Sequence, residues 1–340
     1  MENIFKNKNI LVTGGTGSIG SEIVRRVLQH DPNVVRILSR DETKQFELGQ
    51  ELGILETVRF LIGDVREKDR LTRAFEDIDI VFHVAAMKHV PACEYNPFEA
   101  VKTNVLGTQN VIDAALDNEV EKVIAISTDK AASPINTMGA TKLLAEKLMI
   151  DANLYKGDRK TVFSCVRFGN VIRSRGSVIP LFEKQIQNGG PITVTDPEMT
   201  RFMMTIPKAV DLVFKATKMA QAGEIFIFKM PVVRLGDLAN VMIEHLAPKY
   251  RYKPEEIQID TIGIRNGEKL YEYLMSEEEA RYAYETDDMF ILRSTAIFSE
   301  DMLDGSVKAK LKRYASDDAK VLSAKEVKQL LNRSDQMGCV

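Results

Sequence analysis

Long hydrophobic runs are missing from this 340-residue chain. No stretch approaches the roughly 18 consecutive apolar residues a membrane helix needs, and the opening MENIFKNKNILVTGG carries no signal-peptide core. These absences argue against a membrane or exported protein and lead us to expect a cytoplasmic one. Cysteine is scarce: Cys93, Cys165 and Cys339 are too few and too scattered for a disulfide framework and lack metal-ligand spacing. Free thiols in a reducing compartment are expected, and no metal. A basic excess is also missing, because the net charge of -3 gives no general pull toward nucleic acid or anionic membrane, although local basic pockets remain open. Repeats and low-complexity linkers are absent as well. The composition is that of an ordinary globular protein, 44% apolar and 28% charged. The length calls for one large or two intimately joined domains.

Short apolar runs alternate with helical spacing through the first half of the chain. Asn9–Val12 ends in a glycine cluster followed by SIGSEIVRRVLQH; VVRILS (34–39), RFLIGD (59–64), DIVFHVAA (79–86), EKVIAIST (121–128) and TVFSCVRFGNV (161–171) read as further strands. Helices are expected between them, including one around FEAVKTNVLGTQNVIDAAL and one over 138–155. Strand–helix alternation of this kind predicts an α/β, doubly wound parallel sheet. After about residue 172 the alternation weakens into a smaller mixed lobe interleaved with the first. We therefore expect a dinucleotide-type domain over 1–172, a lobe over 173–300 and, over 301–340, one amphipathic helix with a polar tail.

The loop Gly14-Gly15-Thr16-Gly17-Ser18-Ile19-Gly20 leaves a strand and opens a helix. Glycines at 14, 17 and 20 permit a tight turn, close approach of backbone N–H groups to a pyrophosphate, and tight helix–sheet packing. In this context a Rossmann-like dinucleotide site is predicted, with Thr16, Ser18 and Ile19 in the same cradle. About twenty residues on, the end of the second strand reads Ser39-Arg40-Asp41, with Lys44 a turn later. A guanidinium there suits a ribose 2′-phosphate and Ser39 can donate to it, which favours NADP over NAD; Asp41 is the feature that points the other way. Asp64-Val65 fits the adenine edge, and Ala85-Ala86 would lie along the cofactor.

With TGGTGSIG, SRDE, GDVR, AAMKHVP, Lys142 and FGNV in register, the chain resembles an extended short-chain dehydrogenase/reductase. The longer strings AAMKHVPACEYNP, STDKAASPINTMGATK, SRGSVIPLF, TDPEMTRF and GIRNGEKLYE resemble the UDP-N-acetylglucosamine 4,6-dehydratases of surface-sugar biosynthesis, over roughly residues 5 to 295. The resemblance is to the short soluble members, which lack an N-terminal transmembrane region. Met138 stands where the fold usually has a catalytic tyrosine, four residues before Lys142 on one helix face. A thioether carries no proton, so proton traffic would move to the neighbouring Thr128-Asp129-Lys130.

The resemblance implies hydride transfer from sugar carbon 4, loss of the carbon-5 proton and the carbon-6 hydroxyl, and hydride return to carbon 6, with no net redox. Lys130 is then the carbon-5 base and Asp129 the acid for the departing hydroxyl. Burial and a cationic nicotinamide would lower the Lys130 pKa, and burial would raise that of Asp129. Thr128 would bond the carbon-4 oxygen and relay its proton; Lys142 would hold the nicotinamide ribose. Arg201 and Arg265 are the expected diphosphate ligands, since a forked guanidinium suits phosphate. By resemblance Asn170, Ser177, Val178, Thr195 and Glu268 join the UDP pocket, and Lys88 would touch both cofactor and sugar. Neither His83 nor His89 is expected to be catalytic. A nucleotide-sugar epimerase and a catalytically silent NADP-binding scaffold are the alternatives. The fold implies a homodimer or larger ring through helices around 98–117 and 138–155. The carbon-5 stereochemistry, the final glycan and the oligomer size are not encoded legibly.

Overall fold

In the computed structural model, which describes residues 3–294 and 305–337, the apolar runs of the first half become parallel strands carried on alternating helices. These are β1 (Asn9–Thr13), α1 (Ser18–Leu28), β2 (Val34–Ser39), α2 (Glu42–Leu52), β3 (Val58–Ile62), α3 (Lys68–Phe75) and β4 (Ile80–His83). Then come α4 (Val90–Tyr95), α5 (Pro97–Ala100), α6 (Gly107–Asp117), β5 (Lys122–Thr128), α7 (Thr137–Tyr155) and β6 (Val162–Phe168). Alternate residues of one strand face opposite ways, so Ile10 and Val12 pack beneath α1 with Ile23 and Val24, while Leu11 packs on the other face with Val111 and Val123. Helices on both faces of a mostly parallel sheet make the fold the expected Rossmann-like one.

The second half is β7 (Asn170–Val171), α8 (Val178–Gln187), β8 (Ile192–Val194), β9 (Thr200–Met204), α9 (Ile206–Met219), β10 (Glu224–Phe228), β11 (Val232–Arg234) and α10 (Leu235–Leu246). It continues with β12 (Ile259–Thr261), β13 (Tyr273–Met275), α11 (Glu277–Ala280), β14 (Ala283–Glu285), β15 (Met289–Arg293), β16 (Val307–Lys308), β17 (Tyr314–Ala315) and α12 (Ala324–Met337). The chain returns repeatedly to the main sheet, whose order is β16-β14-β15-β10-β6-β5-β4-β1-β2-β3. β10 joins parallel to β6, and β15 turns back antiparallel. The remaining short strands pair as β11-β9-β7, β12-β8 and β13-β17; β8, β9 and β11 contribute to a separate apolar core that includes Phe182, Met203 and Leu238.

Two expectations are corrected here. The helix expected over 98–116 is interrupted: Val101–Leu106 forms a wide π-type turn between α5 and α6. It carries Asn104, whose amide accepts from Met87 N at 2.8 Å and donates to Met87 O at 3.0 Å, fixing the backbone before Lys88. The last forty residues hold more than a helix and tail, since β16 and β17 precede α12; two-residue strands are too short to show a period. Cys93 and Cys165 are buried free thiols, and Cys339 with the rest of the tail lies outside the described residues. No described helix is long and apolar enough to cross a membrane.

One buried ionic group ties the halves together. Arg167 of β6 is fully buried and donates to Glu146 of α7 at 3.0 and 2.5 Å, to Glu279 of α11 at 3.1 and 3.0 Å, and to Leu274 O at 2.9 Å. Every guanidinium edge is satisfied, which a buried charge requires. Arg167→Met would strand two carboxylates, one of them fully buried, and is expected to destabilise the protein by roughly 3–5 kcal/mol. The shift of the urea unfolding midpoint measures it.

Candidate active site

The functional residues gather at the C-terminal ends of the parallel strands, where an open α/β sheet binds its ligands. After β1, Gly14 adopts a left-handed φ of 65° and its N–H reaches Leu38 O at 2.8 Å. A Cβ on Gly14 would lie 2.8 Å from the Ala85 backbone, and one on Gly20 only 2.4 Å from Gly14 O. Only glycine fits either place. Gly17 then starts α1 with no side-chain cap, leaving the helix's first N–H groups open to an anion. Thr16 Oγ1 and Ser39 Oγ meet at 2.8 Å, joining this loop to the end of β2.

Beyond Ser39, the exposed Arg40 lies 3.3 Å from Asp64 Oδ2, and Asp41 caps α2 by accepting from Lys44 N at 3.0 Å and pairing with Lys44 Nζ. Asp41 is thus committed to its own helix. Asp64 is drawn opposite ways: burial raises its pKa, but bonds from Arg66 and the Arg40 charge outweigh it and hold the carboxyl below its ordinary value. Val65 is buried and its carbonyl accepts from Asn110 at 3.0 Å; Ala85 N donates to Thr13 Oγ1 at 3.3 Å, and Ala86 is exposed. His83 is enclosed between Thr13 and Thr108, and burial, aided by Lys142, pushes its pKa down to about 3, so it stays neutral.

At the end of β5 the chain folds directly into a tight turn, Asp129–Ala131. Thr128 Oγ1 donates to Asp129 Oδ1 at 2.8 Å, and Lys130 Nζ donates to the same oxygen at 3.0 Å. Asp129 is 1% exposed and the Lys130 side chain 23%. The turn is clamped by α7: a Cβ on Gly139 would lie 2.3 Å from Lys130 O, and Asn136 caps the helix while donating to Gly267 O at 2.8 Å. Met138 is buried in a small apolar cluster with Cys93 and Ala100. Lys142 donates to Ile126 O at 2.7 Å, and burial holds its pKa below the ordinary value.

The sequence did not single out Glu272, which completes this group. Glu272 Oε1 lies 3.3 Å from Lys130 Nζ and 3.9 Å from Arg201 Nε. Its sign in the sequence was an acid inside the otherwise apolar run Leu270–Met275, at the last letter of GIRNGEKLYE. It overturns the expected direction for Lys130. Burial does favour the neutral amine, but Asp129 and Glu272 together outweigh it and hold the ammonium above the ordinary lysine pKa.

Arg201 is buried and donates to the carbonyls of Thr200 (2.8 Å), Lys269 (2.8 Å) and Leu270 (3.1 Å); in this structure it braces the 269–272 segment. Arg201 and Thr195 meet on Met199 Sδ, each at 3.2 Å. Asn170 lies in β7, and Ser177 heads α8 just before Val178, with its hydroxyl buried and unpartnered among the described residues. Arg265 is exposed, and its backbone N–H donates to Glu268 Oε2 at 3.3 Å. Lys88 Nζ donates to Arg175 O at 2.7 Å, while Arg175 reaches back to Thr16 O at 2.5 Å. The loop before α8 therefore spans from the glycine turn to the Lys88 segment. Among the described residues no His/Cys/Asp/Glu cluster could hold a metal.

Comparison with known proteins identifies the family. Residues 10–294 match the family described as polysaccharide biosynthesis protein. A protein of Methanocaldococcus jannaschii named an uncharacterized membrane protein is 59% identical, covering 97% of both chains. An inverting UDP-N-acetylglucosamine 4,6-dehydratase of Campylobacter jejuni is 42% identical over 98% of this chain and 99% of its own, and a UDP-glucose 4-epimerase of Rickettsia rickettsii 41% over 96% of each. The crystal structure of Pen from Bacillus thuringiensis superposes with a TM-score of 0.90 at 50% identity, covering 97% of this chain and 98% of that one.

Gly20→Ala forces its methyl group into the Gly14 carbonyl. Overpacking of this kind costs about 1–3 kcal/mol, so affinity for a nicotinamide dinucleotide is expected to fall about tenfold or more, read by fluorescence titration.

Proposed function

The chain belongs to the polysaccharide biosynthesis protein family, among the dehydratase-like extended short-chain dehydrogenase/reductases, and we propose that it is an NADP-dependent UDP-N-acetylglucosamine 4,6-dehydratase forming UDP-2-acetamido-2,6-dideoxy-4-hexulose. The observation that carries this reading is the Thr128-Asp129-Lys130 cluster at the end of β5, in which Asp129 is buried and its two neighbours partly so. It offers one hydroxyl, one carboxylate and one amine in direct contact, the groups that an elimination across two carbons needs and a simple hydride exchange does not.

The cofactor cradle fits a dinucleotide, with glycine at the two places where a Cβ would collide and an uncapped helix start beneath. Gly14, Thr16, Gly17, Ser18, Ile19 and Gly20 would hold the pyrophosphate, Ser39, Arg40 and Lys44 the 2′-phosphate, Asp64 and Val65 the adenine edge, and Ala85, Ala86, Lys88 and Lys142 the nicotinamide end. Bound there, the nicotinamide would accept hydride from carbon 4 and return it to carbon 6. Arg40 supports NADP because its guanidinium stands exposed at the strand end, while Asp41 is engaged as a helix cap.

Thr128 takes the carbon-4 hydroxyl proton as it passes its own to Asp129. Asp129, now a carboxylic acid, gives that proton to the carbon-6 hydroxyl, which departs as water. Lys130 must shed its ammonium proton to solvent before it takes the carbon-5 proton; once Asp129 is neutral, one of the two charges opposing that loss is gone. When hydride returns to carbon 6, Lys130, its protons by then exchanged with solvent, gives one to carbon 5. Asn170, Ser177, Val178, Thr195, Arg201, Arg265 and Glu268 are proposed for the UDP end. Exposed Phe98, Leu106, Leu144 and Leu154 on the segments around 98–117 and 138–155 support a homo-oligomer. A nucleotide-sugar substrate implies work in the cytoplasm. The epimerase reading has the Rickettsia name in its favour but leaves Asp129 and Lys130 without a task.

Incubated with UDP-N-acetylglucosamine in deuterated water without added reductant, the protein is expected to produce a carbon-6 methyl proton signal with deuterium at carbon 5. The coupling constants report whether carbon 5 inverts. Lys130→Ala should lose on the order of 100- to 10,000-fold in turnover. A wild-type protein that binds cofactor but gives no methyl signal would sink the dehydratase reading.

A further inference from the structure

Glu272 is held in place by a residue far along the chain. Its backbone N–H donates to Ser316 Oγ at 2.9 Å, Ser316 N donates back to Glu272 O at 2.9 Å, and the fully buried Ser316 also meets Thr200 Oγ1 at 2.7 Å. The adjoining β13–β17 pairing continues this tether. The carboxylate so fixed is 3% exposed, and its Oε2 is buried with no hydrogen-bond partner among the described residues. A second carboxylate placed next to buried Asp129 is costly unless its charge is used. The charged groups facing it are Lys130 and Asp129 from the β5 turn, Arg201 from β9, and Lys269 from its own segment.

We propose that Glu272 is a positioning residue for Lys130: it fixes the amine beside Asp129 and keeps it an ammonium until the carbon-4 proton has passed to Asp129. This rests on the reading of Lys130 as the carbon-5 base. Asp129 and Glu272 both stand against Lys130, at 3.0 and 3.3 Å. When Asp129 takes up the proton, Glu272 alone remains opposite Lys130, Arg201 and Lys269, so Lys130 releases one N–H proton to water. The base is thereby uncovered after carbon 4 has been deprotonated and not before.

The test is competitive acetylation of the cofactor-loaded protein with trace acetic anhydride, read at each lysine by mass spectrometry, with exposed Lys218 as internal reference. A shift of one pH unit is a tenfold change in free amine, so at pH 8 Lys130 is expected to react about tenfold faster in Glu272→Gln than in the wild type. Glu272→Asp, which keeps the charge, should stay within about threefold of wild type. Unchanged labelling in Glu272→Gln, or equal acceleration in both variants, would overturn the proposal, because the second pattern is a packing effect. In turnover, the rising limb of kcat against pH should move to lower pH in Glu272→Gln. Labelling requires no turnover. A shift in labelling without any sugar conversion would support the Glu272–Lys130 coupling while removing the dehydratase reading, and conversion without a labelling shift would do the reverse.

Discussion

Burial of charge on both sides of the segment from Glu272 to Glu279 is the constraint from which the site follows. On one side Arg167, fully buried, takes the Leu274 carbonyl and the Glu279 carboxylate. On the other, Glu272 reaches Lys130 and Arg201. Neither cluster tolerates loss of one partner, because an unpaired charge in a low-dielectric interior costs several kcal/mol. The segment is therefore held from both sides, and the position it takes puts a carboxylate against the end of β5. Pairing with β17 and the Ser316 bonds fix the backbone in the same place.

The parallel sheet supplies the second half of the arrangement. β1, β2, β4 and β5 point their C-terminal ends to one rim, so residues more than a hundred positions apart in sequence lie along a single crevice. The glycine turn stands at the β1 end, and the β5 turn, proposed to handle protons, at the other. Loop 172–177 bridges them, since Arg175 bonds Thr16 while accepting from Lys88. The loop that leads to the proposed sugar-binding Ser177 and Val178 is thus anchored on the phosphate turn itself.

Much of this was legible in the sequence because local rules decide it. Strand β1, the glycine spacing and helix α1 follow from period and steric need, and Asn136 before α7 is an ordinary cap. What was illegible depends on partners distant in sequence. The return of β10, β14 and β15 to the main sheet leaves no mark in runs of five residues or fewer. The direction of the Lys130 shift was misjudged for the same reason: the sequence displays Asp129 beside it, but nothing local announces Glu272, which sets the balance of two carboxylates against burial. Arg201 reads as a phosphate ligand from its motif, and its three carbonyl partners become apparent only once β9 is packed on residues 269–270.

Met138 gains a physical account from the same geometry. In the usual arrangement a lysine one turn along the helix acidifies a phenol, which needs the ammonium to face the reacting oxygen. Here Lys142 donates to the Ile126 carbonyl, and burial lowers its pKa. Met138 fills an apolar pocket with Cys93 and Ala100, a role for which a flexible thioether is well suited. A phenol at 138 would bring a hydroxyl into that pocket and need a partner for it. The proposed proton route runs instead along Thr128 and Asp129, joined at 2.8 Å, and leaves the helix position to a packing residue. Under the proposed route the charge of the β5 turn has to be balanced within the site, and Glu272 with Lys130 and Arg201 provides that balance.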